Sequence, residues 1–213
     1  MSDGGQDSGD VEEYERLIDL YIETQGGKRD DIAARIEARF SIETTILVLD
    51  IAGFTRLTRE HGIVHYLAMI RRMQLLANSL IGEHSGDVIK YEADNMFAHF
   101  PNVDCAIGFA LEMLNGFHAM NIMTDDISDI HASIGIASGS VLTIEHKDAW
   151  GSAMNIASKL GEDIAGKDEI LVQEASFLES QSPESYRTEQ IDYPISGITI
   201  KARRILGLTL GNI

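Results

Sequence analysis

Gly86-Asp87-Val88-Ile89-Lys90-Tyr91-Glu92-Ala93-Asp94-Asn95-Met96-Phe97-Ala98-His99-Phe100 decides the fold. It reads as two strands, 86–91 and 95–100, joined by the short turn Glu92-Ala93-Asp94, a tight hairpin. Upstream, Thr45-Ile46-Leu47-Val48-Leu49 is a buried-strand run that stops at Asp50. It passes through Ile51-Ala52-Gly53-Phe54-Thr55 into a helical pattern over about 56–81. Downstream come a helix over 104–121 and a strand pair, 130–137 and 140–145, around Ser138-Gly139. A helix over roughly 152–164, a short strand 169–172 and β-rich patches near 188–193 and 198–206 complete the chain. Strand, helix, hairpin, helix, strand is an α+β plan: a ferredoxin-like βαββαβ core with additional C-terminal strands and helices.

In that topology the first strand lies antiparallel to the second strand of the hairpin, so the end of one meets the start of the other. Asp50 and Asp94 become neighbours, and two carboxylates so close repel unless a cation lies between them. Either aspartate alone reads as a turn or capping residue; on adjacent strand ends the pair reads as a metal site. The turn after Asp50 suits phosphate. Gly53 allows close backbone approach, Thr55 is a candidate N-cap, and free N–H groups at the helix start favour anions. Gly53, Phe54 and Thr55 are thus the candidate phosphate segment.

The chain has 213 residues, enough for one sizeable core plus an appendage. Its 34 acidic and 17 basic residues give a formal net charge of −17, which opposes binding to nucleic acid or anionic membranes. A polyanionic substrate needs local positive charge and metal to enter. No signal peptide begins the chain and no apolar run approaches membrane-spanning length, so a cytoplasmic protein without a membrane span is expected. The single Cys105 precedes an apolar helical pattern, where a thiol serves as a small hydrophobe, and the seven histidines lack zinc-ligand spacing. Residues 1–10 are small, polar and acidic, the composition of a loose tail. Residues 11–42 carry apolar stripes at helical spacing, Tyr14, Leu17, Ile18, Tyr21 and Ile22, then Ile32, Ile36 and Phe40 after Gly26-Gly27. These predict two short amphipathic helices, either an elaboration of the core or a dimerisation or regulatory element; the main domain occupies 43–213.

The chain resembles the catalytic domain of class III nucleotide cyclases, the adenylate and guanylate cyclases, over about residues 43 to 206. Four blocks carry the resemblance in order: Leu49-Asp50-Ile51-Ala52-Gly53-Phe54-Thr55, the hairpin from Gly86 to Asp94, Ile134-Gly135-Ile136-Ala137-Ser138-Gly139, and the segment from Asp148 to Leu160. The resemblance implies a homodimer with two equivalent sites between its subunits. Asp50, Asp94 and the carbonyl of Ile51 would hold two Mg2+ or Mn2+ ions per site, with Ca2+ as a non-productive ion. The reaction implied is in-line attack of a 3′-hydroxyl on the α-phosphorus, releasing pyrophosphate and leaving a cyclic nucleotide.

The same resemblance makes Lys90 and Asp148 the base-selecting pair. Lysine can donate to adenine N1 and aspartate can accept from the 6-amino group, whereas guanine's O6 and N1–H oppose both. ATP is the substrate this implies; guanylate cyclases typically place Glu and Cys there. Asn155 matches the ribose-orienting asparagine, and Lys159 stands where the family usually has arginine, keeping the charge but losing the bidentate fork. Ser196 occupies the place of a phosphate-gripping lysine, with Lys201 nearby as either a substitute or a surface strand residue. Ala93 replaces a hairpin glycine and restricts the backbone there. The expected function is an adenylate cyclase of reduced turnover. The alternative is a weakly active or inactive cyclase-like domain that binds metal, nucleotide or a partner as a sensor. A diguanylate cyclase, whose core is related in shape, is a distant third reading, since no G-G-[DE]-E-F run occurs.

Overall fold

The computed structural model describes residues 7–124, 128–144, 148–195 and 198–209. Along the chain run α1 (Asp7–Glu23), α2 (Gly27–Phe40), β1 (Ser41–Ile51), α3 (Phe54–His61), α4 (Ile63–Leu80), β2 (Asp87–Glu92) and β3 (Asn95–Phe100). These are followed by α5 (Val103–Ile122), β4 (Ala132–Ile144), β5 (Asp148–Trp150), α6 (Ser152–Ser158), a π-helical stretch (Lys159–Ile164), β6 (Ile170–Gln173), α7 (Glu174–Phe177), β7 (Tyr186–Ile195) and β8 (Ile198–Leu208). Among the described residues the strands form one sheet in the order β2-β3-β1-β4-β6-β8-β7, with β5 paired to β4. The first four of that order are the ferredoxin-like core, and β1 runs antiparallel to both β3 and β4.

Alternation along β1 divides the interior in two. Leu47, Leu49 and Ile51 face α4 and α5, where Tyr66, Met69, Met73, Phe109, Met113 and Phe117 complete the main core. Ile46 and Val48 face the other way, onto Ala153, Met154 and Ala157 of α6. Each large side chain so buried contributes about 1.5–3 kcal/mol. Asn102 caps α5 by accepting from the Cys105 N–H, and Cys105 lies at the edge of the main core, as a small hydrophobe would.

The structure departs from the sequence expectations at several points. The helix expected over 56–81 breaks at Gly62, whose φ of 85° and ψ of 163° end α3 and start α4. The strand pair expected around Ser138-Gly139 is one continuous strand. β1 is long enough to pair with β4 from Ser41↔Leu142 through Ile51↔Ala132, and Thr45 Oγ1 bonds Ser138 Oγ at 2.8 Å, so the ladder runs straight through the apparent turn. The helix expected to 164 becomes π-helical from Lys159. There, the place of a Gly161 Cβ lies 2.7 Å from the Val48 carbonyl oxygen, so that turn lies directly on the sheet backbone. Gly135 does the same from the sheet side, its Cβ position lying 2.1 Å from the Ala157 oxygen. Finally, α1 begins at Asp7, inside the segment expected to be loose, and Arg39 of α2 bonds Asp10 at 2.6 Å.

The two N-terminal helices bury Leu17, Ile32, Ile36 and Phe40 against Leu142 and Ile144 at the end of β4. Tyr14 stacks on Trp150 of β5, with centroids 6.3 Å apart and planes 3° from parallel. Among the described residues no helix is long and apolar enough to cross a membrane.

Candidate active site

Asp50 is the penultimate residue of β1 and lies opposite Asn95, the first residue of β3. Asp94 immediately precedes Asn95, in a turn held by Ala93 at a left-handed φ of 52°. The expected meeting of the two aspartates is therefore observed, and their carboxyl groups hydrogen-bond each other. The Asp50 carboxyl is pushed up to about 7, first by burial, then by the charge of Asp94 and of Glu162 from the π-helical stretch, and last by the bond to Asp94. Negative charge gathered at a partly buried point leaves the site short of positive charge.

The surroundings fit a divalent cation. The carboxamide oxygen of Asn95, which shares a face with Asp50, is buried without a hydrogen-bond partner. Among the described residues no three acid, histidine or cysteine side chains converge on one point. The donors present for an ion are therefore two carboxylates and backbone oxygen, a hard-oxygen set suited to Mg2+ or Mn2+. The Ile51 carbonyl faces the Tyr66 hydroxyl at 3.5 Å, and the same hydroxyl donates to Asp94 Oδ2 at 2.8 Å.

The loop after Ile51 is fixed from behind, where the Ala52 N–H donates to the His131 carbonyl at 2.8 Å. Gly53, at a φ of 96°, is the N-cap of α3. This corrects the expectation for Thr55, which lies within the first turn of that helix; the side chains of Phe54 and Thr55 are outside the described residues.

Lys90 and Asp148 also come together. A bulge in β2 between Val88 and Lys90 puts Lys90 opposite Phe97, on the α6 side of the sheet. Its ammonium lies 3.2 Å from Asp148 Oδ1, 3.0 Å from Glu92 and 5.2 Å from the Phe97 ring centroid. The Glu92 bond, opposed by partial burial and joined by Asp148, holds that ammonium above the ordinary lysine range. Asp148 is itself set by bonds from its neighbours: the Ala149 N–H donates to its carboxylate and Thr143 Oγ1 to its carbonyl.

Asn155 is exposed on α6, and Lys159 opens the π-helical stretch, ion-paired with Asp163 at 2.5 Å. Ser196 falls outside the described residues, while Lys201 is exposed on β8 opposite Asp192. Sequence reasoning missed Tyr66, Asn95, Glu92 and Asp163. Asn95 adjoins Asp94 and was within reach, but Tyr66 sits amid helical residues without any local signal.

The family model for the adenylate and guanylate cyclase catalytic domain matches residues 36–202. The chain belongs to this cyclase family. A curated adenylate cyclase of Streptomyces griseus is 29% identical over 140 residues, 64% of this chain and 33% of that protein. The chain spans between 19% and 33% of the curated relatives it matches. The adenylate/guanylate cyclase/hydrolase of Silicibacter pomeroyi superposes with a TM-score of 0.65 at 25% identity, over 78% of this chain and 96% of that one. The guanylate cyclase domain of Catenaria anguillulae in complex with GTP has the same fold, with a TM-score of 0.64 at 17% identity over 80% and 98% of the two chains. The expected α+β fold is thus that of a cyclase catalytic domain, and the family is one of nucleotide-cyclising lyases.

Proposed function

We propose that this cyclase domain converts ATP to 3′,5′-cyclic AMP and pyrophosphate at a site completed by a second copy of the chain. The observation that carries this reading is the Asp50–Asp94 carboxyl pair at two strand ends, short of positive charge and next to a glycine-capped helix start. Mg2+ or Mn2+ bound there by Asp50, Asp94 and the Ile51 carbonyl would supply Lewis-acid stabilisation of the polyphosphate and acidify the 3′-hydroxyl.

The chain's own residues have separable tasks. Gly53 and the N–H groups that follow it offer donors to phosphate oxygens. Lys90, steadied by Asp148 and Glu92, donates to adenine N1, and Asp148 accepts from the 6-amino group. Asn155 orients the ribose, and Lys159 faces charge developing at the α-phosphate. The 3′-oxygen forms a bond to the α-phosphorus as the bond to pyrophosphate breaks, and the hydroxyl proton leaves to solvent.

A homodimer fits the placement. The Lys90–Asp148 pair sits on β2 and β5, whereas Asp50 and Asp94 sit at the β1–β3 strand ends. The cleft lined by Thr44, Thr45, Asn102 and Ser138 lies toward the other end of β1 and takes none of the proposed residues. A second reading is supported by the Lys159–Asp163 pair, which engages the cation expected at the α-phosphate. It is a nucleotide- and metal-binding cyclase domain of low turnover. The test is product formation by purified protein from ATP and from GTP, each with Mg2+ or Mn2+, with Asp50→Ala as the blank. Aspartate-dependent cyclic AMP supports the first reading. No product, with metal and nucleotide still raising the melting temperature, supports the second.

A further inference from the structure

Tyr66 is 1% exposed, yet its hydroxyl is in the candidate site. It enters from the helix layer, on the side of the sheet opposite Asp50, because the break at Gly62 restarts the chain as α4. The Tyr66 N–H then bonds the Gly62 carbonyl at 3.4 Å, one turn in. The ring packs in the main core with Ile51, Leu57 and Met69, and the phenol rises between the end of β1 and the β2–β3 turn. There it donates to Asp94 Oδ2 at 2.8 Å and lies 3.5 Å from the Ile51 carbonyl oxygen. An apolar side chain of similar size would fill the slot, but only a donor there can hold the Asp94 carboxylate in one orientation.

We infer that Tyr66 is a positioning residue of the metal site, its buried hydroxyl fixing the Asp94 carboxylate and registering it against the Ile51 carbonyl before a cation arrives. This rests on the assignment of Asp50, Asp94 and Ile51 as the cation's ligands. A bond to Oδ2 leaves Oδ1 without that partner and available to an ion, and it restrains the carboxylate from rotating between ligand and non-ligand orientations. Outer-layer partners of this kind set both orientation and basicity of metal ligands, and losing one costs about tenfold or more in metal affinity.

The test is a titration of Mn2+ into the full chain with α,β-methylene-ATP, whose P–C bond cannot release pyrophosphate, read as the rise in melting temperature. Tyr66→Phe keeps the ring and removes only the donor. Its Mn2+ midpoint should move up about tenfold. In the turnover assay the Mn2+ requirement should rise by the same factor while kcat at saturating metal stays within about twofold of wild type. Tyr66→Leu, a second apolar filler, should shift the midpoint equally and serves if the Phe variant folds poorly. A midpoint unchanged in both variants, with only the metal-free melting temperature lowered, would make Tyr66 a core residue and overturn the inference alone. If the wild-type protein shows no Asp50-dependent metal response, the ligand assignment fails and the inference falls with it.

Discussion

Replacing Asp50 by Asn should make the metal-free protein more stable while destroying its response to metal. In the fold the Asp50 carboxyl is pushed from the ordinary value near 3.8 to about 7 by burial and by Asp94 and Glu162. Between pH 4 and 7 the folded chain therefore keeps a proton that the unfolded chain has released, and stability falls as pH rises through that window. The gap of about three pH units sets a ceiling of roughly 4 kcal/mol at about 1.4 kcal/mol per unit. Solvent reaches this carboxyl, and screening reduces the figure to about 2 kcal/mol. Asparagine has the same shape and no charge, so Asp50→Asn should melt about 4–8 °C higher than wild type in EDTA at pH 8. The difference should narrow at pH 5, where wild-type Asp50 is largely protonated. Adding Mn2+ should raise the wild-type midpoint and leave the variant unmoved. The assay is thermal unfolding at the two pH values with EDTA or Mn2+. A variant midpoint equal to or below wild type in EDTA at pH 8 refutes the reasoning, because the two carboxyls would then not be in conflict.

Ala93→Gly should raise stability by about 0.5–1 kcal/mol. It relieves a left-handed alanine at φ 52° and loses part of that gain to backbone entropy, and a denaturant midpoint reads the difference. Gly135→Ala should cost about 3 kcal/mol or more, since its Cβ would meet the Ala157 oxygen at 2.1 Å and the Gly161 nitrogen at 2.3 Å; unfolding in urea measures the loss. Lys159→Arg should increase kcat about tenfold with little change in KM. One further charge-assisted hydrogen bond at the α-phosphate is worth about 1.4 kcal/mol in the transition state, and steady-state kinetics with ATP decide it. Mixing inactive Asp50→Ala and Asn155→Ala proteins should restore cyclic AMP formation to about a quarter of wild type if subunits exchange at random and each site draws on two chains. No recovery after verified exchange would place all these residues in one subunit's site.

The βαββαβ order was legible because each of its parts has a local cause: the apolar run 45–49, the turn at 92–94, the helical periods between them. Asp50 and Asp94 followed from topology, which converts a separation in sequence into one strand register, Asp50↔Asn95. What misled was glycine and what surrounds it. Ser138-Gly139 has the composition of a turn, but a strand passes through it because β1 supplies a ladder on both sides. Gly62, inside an otherwise helical pattern, breaks the helix and so directs Tyr66 at the site. Gly161 marks a contact of helix backbone with sheet backbone, where the π-helical stretch begins near Lys159. At Ser138-Gly139 and at Gly161 the deciding interaction is with β1, distant in the sequence, and no window around either residue contains it.

The arrangement of charge is why the proposed site would need a cation. ATP is a polyanion, and the chain it would approach carries a formal net charge of −17. Asp50, Asp94 and Glu162 concentrate negative charge at the strand ends. Lys90 is engaged by Glu92 and Asp148, and Lys159 by Asp163. Each lysine thus has a partner to exchange before it meets substrate. For Lys90 the exchange is small, because adenine N1 accepts one of its three N–H donors while the others keep their carboxylates. For Lys159 it is larger, because the pair with Asp163 competes with the α-phosphate for the same charge. On the proposed ligand assignment, attraction for the triphosphate would therefore come from metal held between Asp50 and Asp94, and the Asp94 carboxylate, bonded from below by Tyr66, would set how readily that metal is bound.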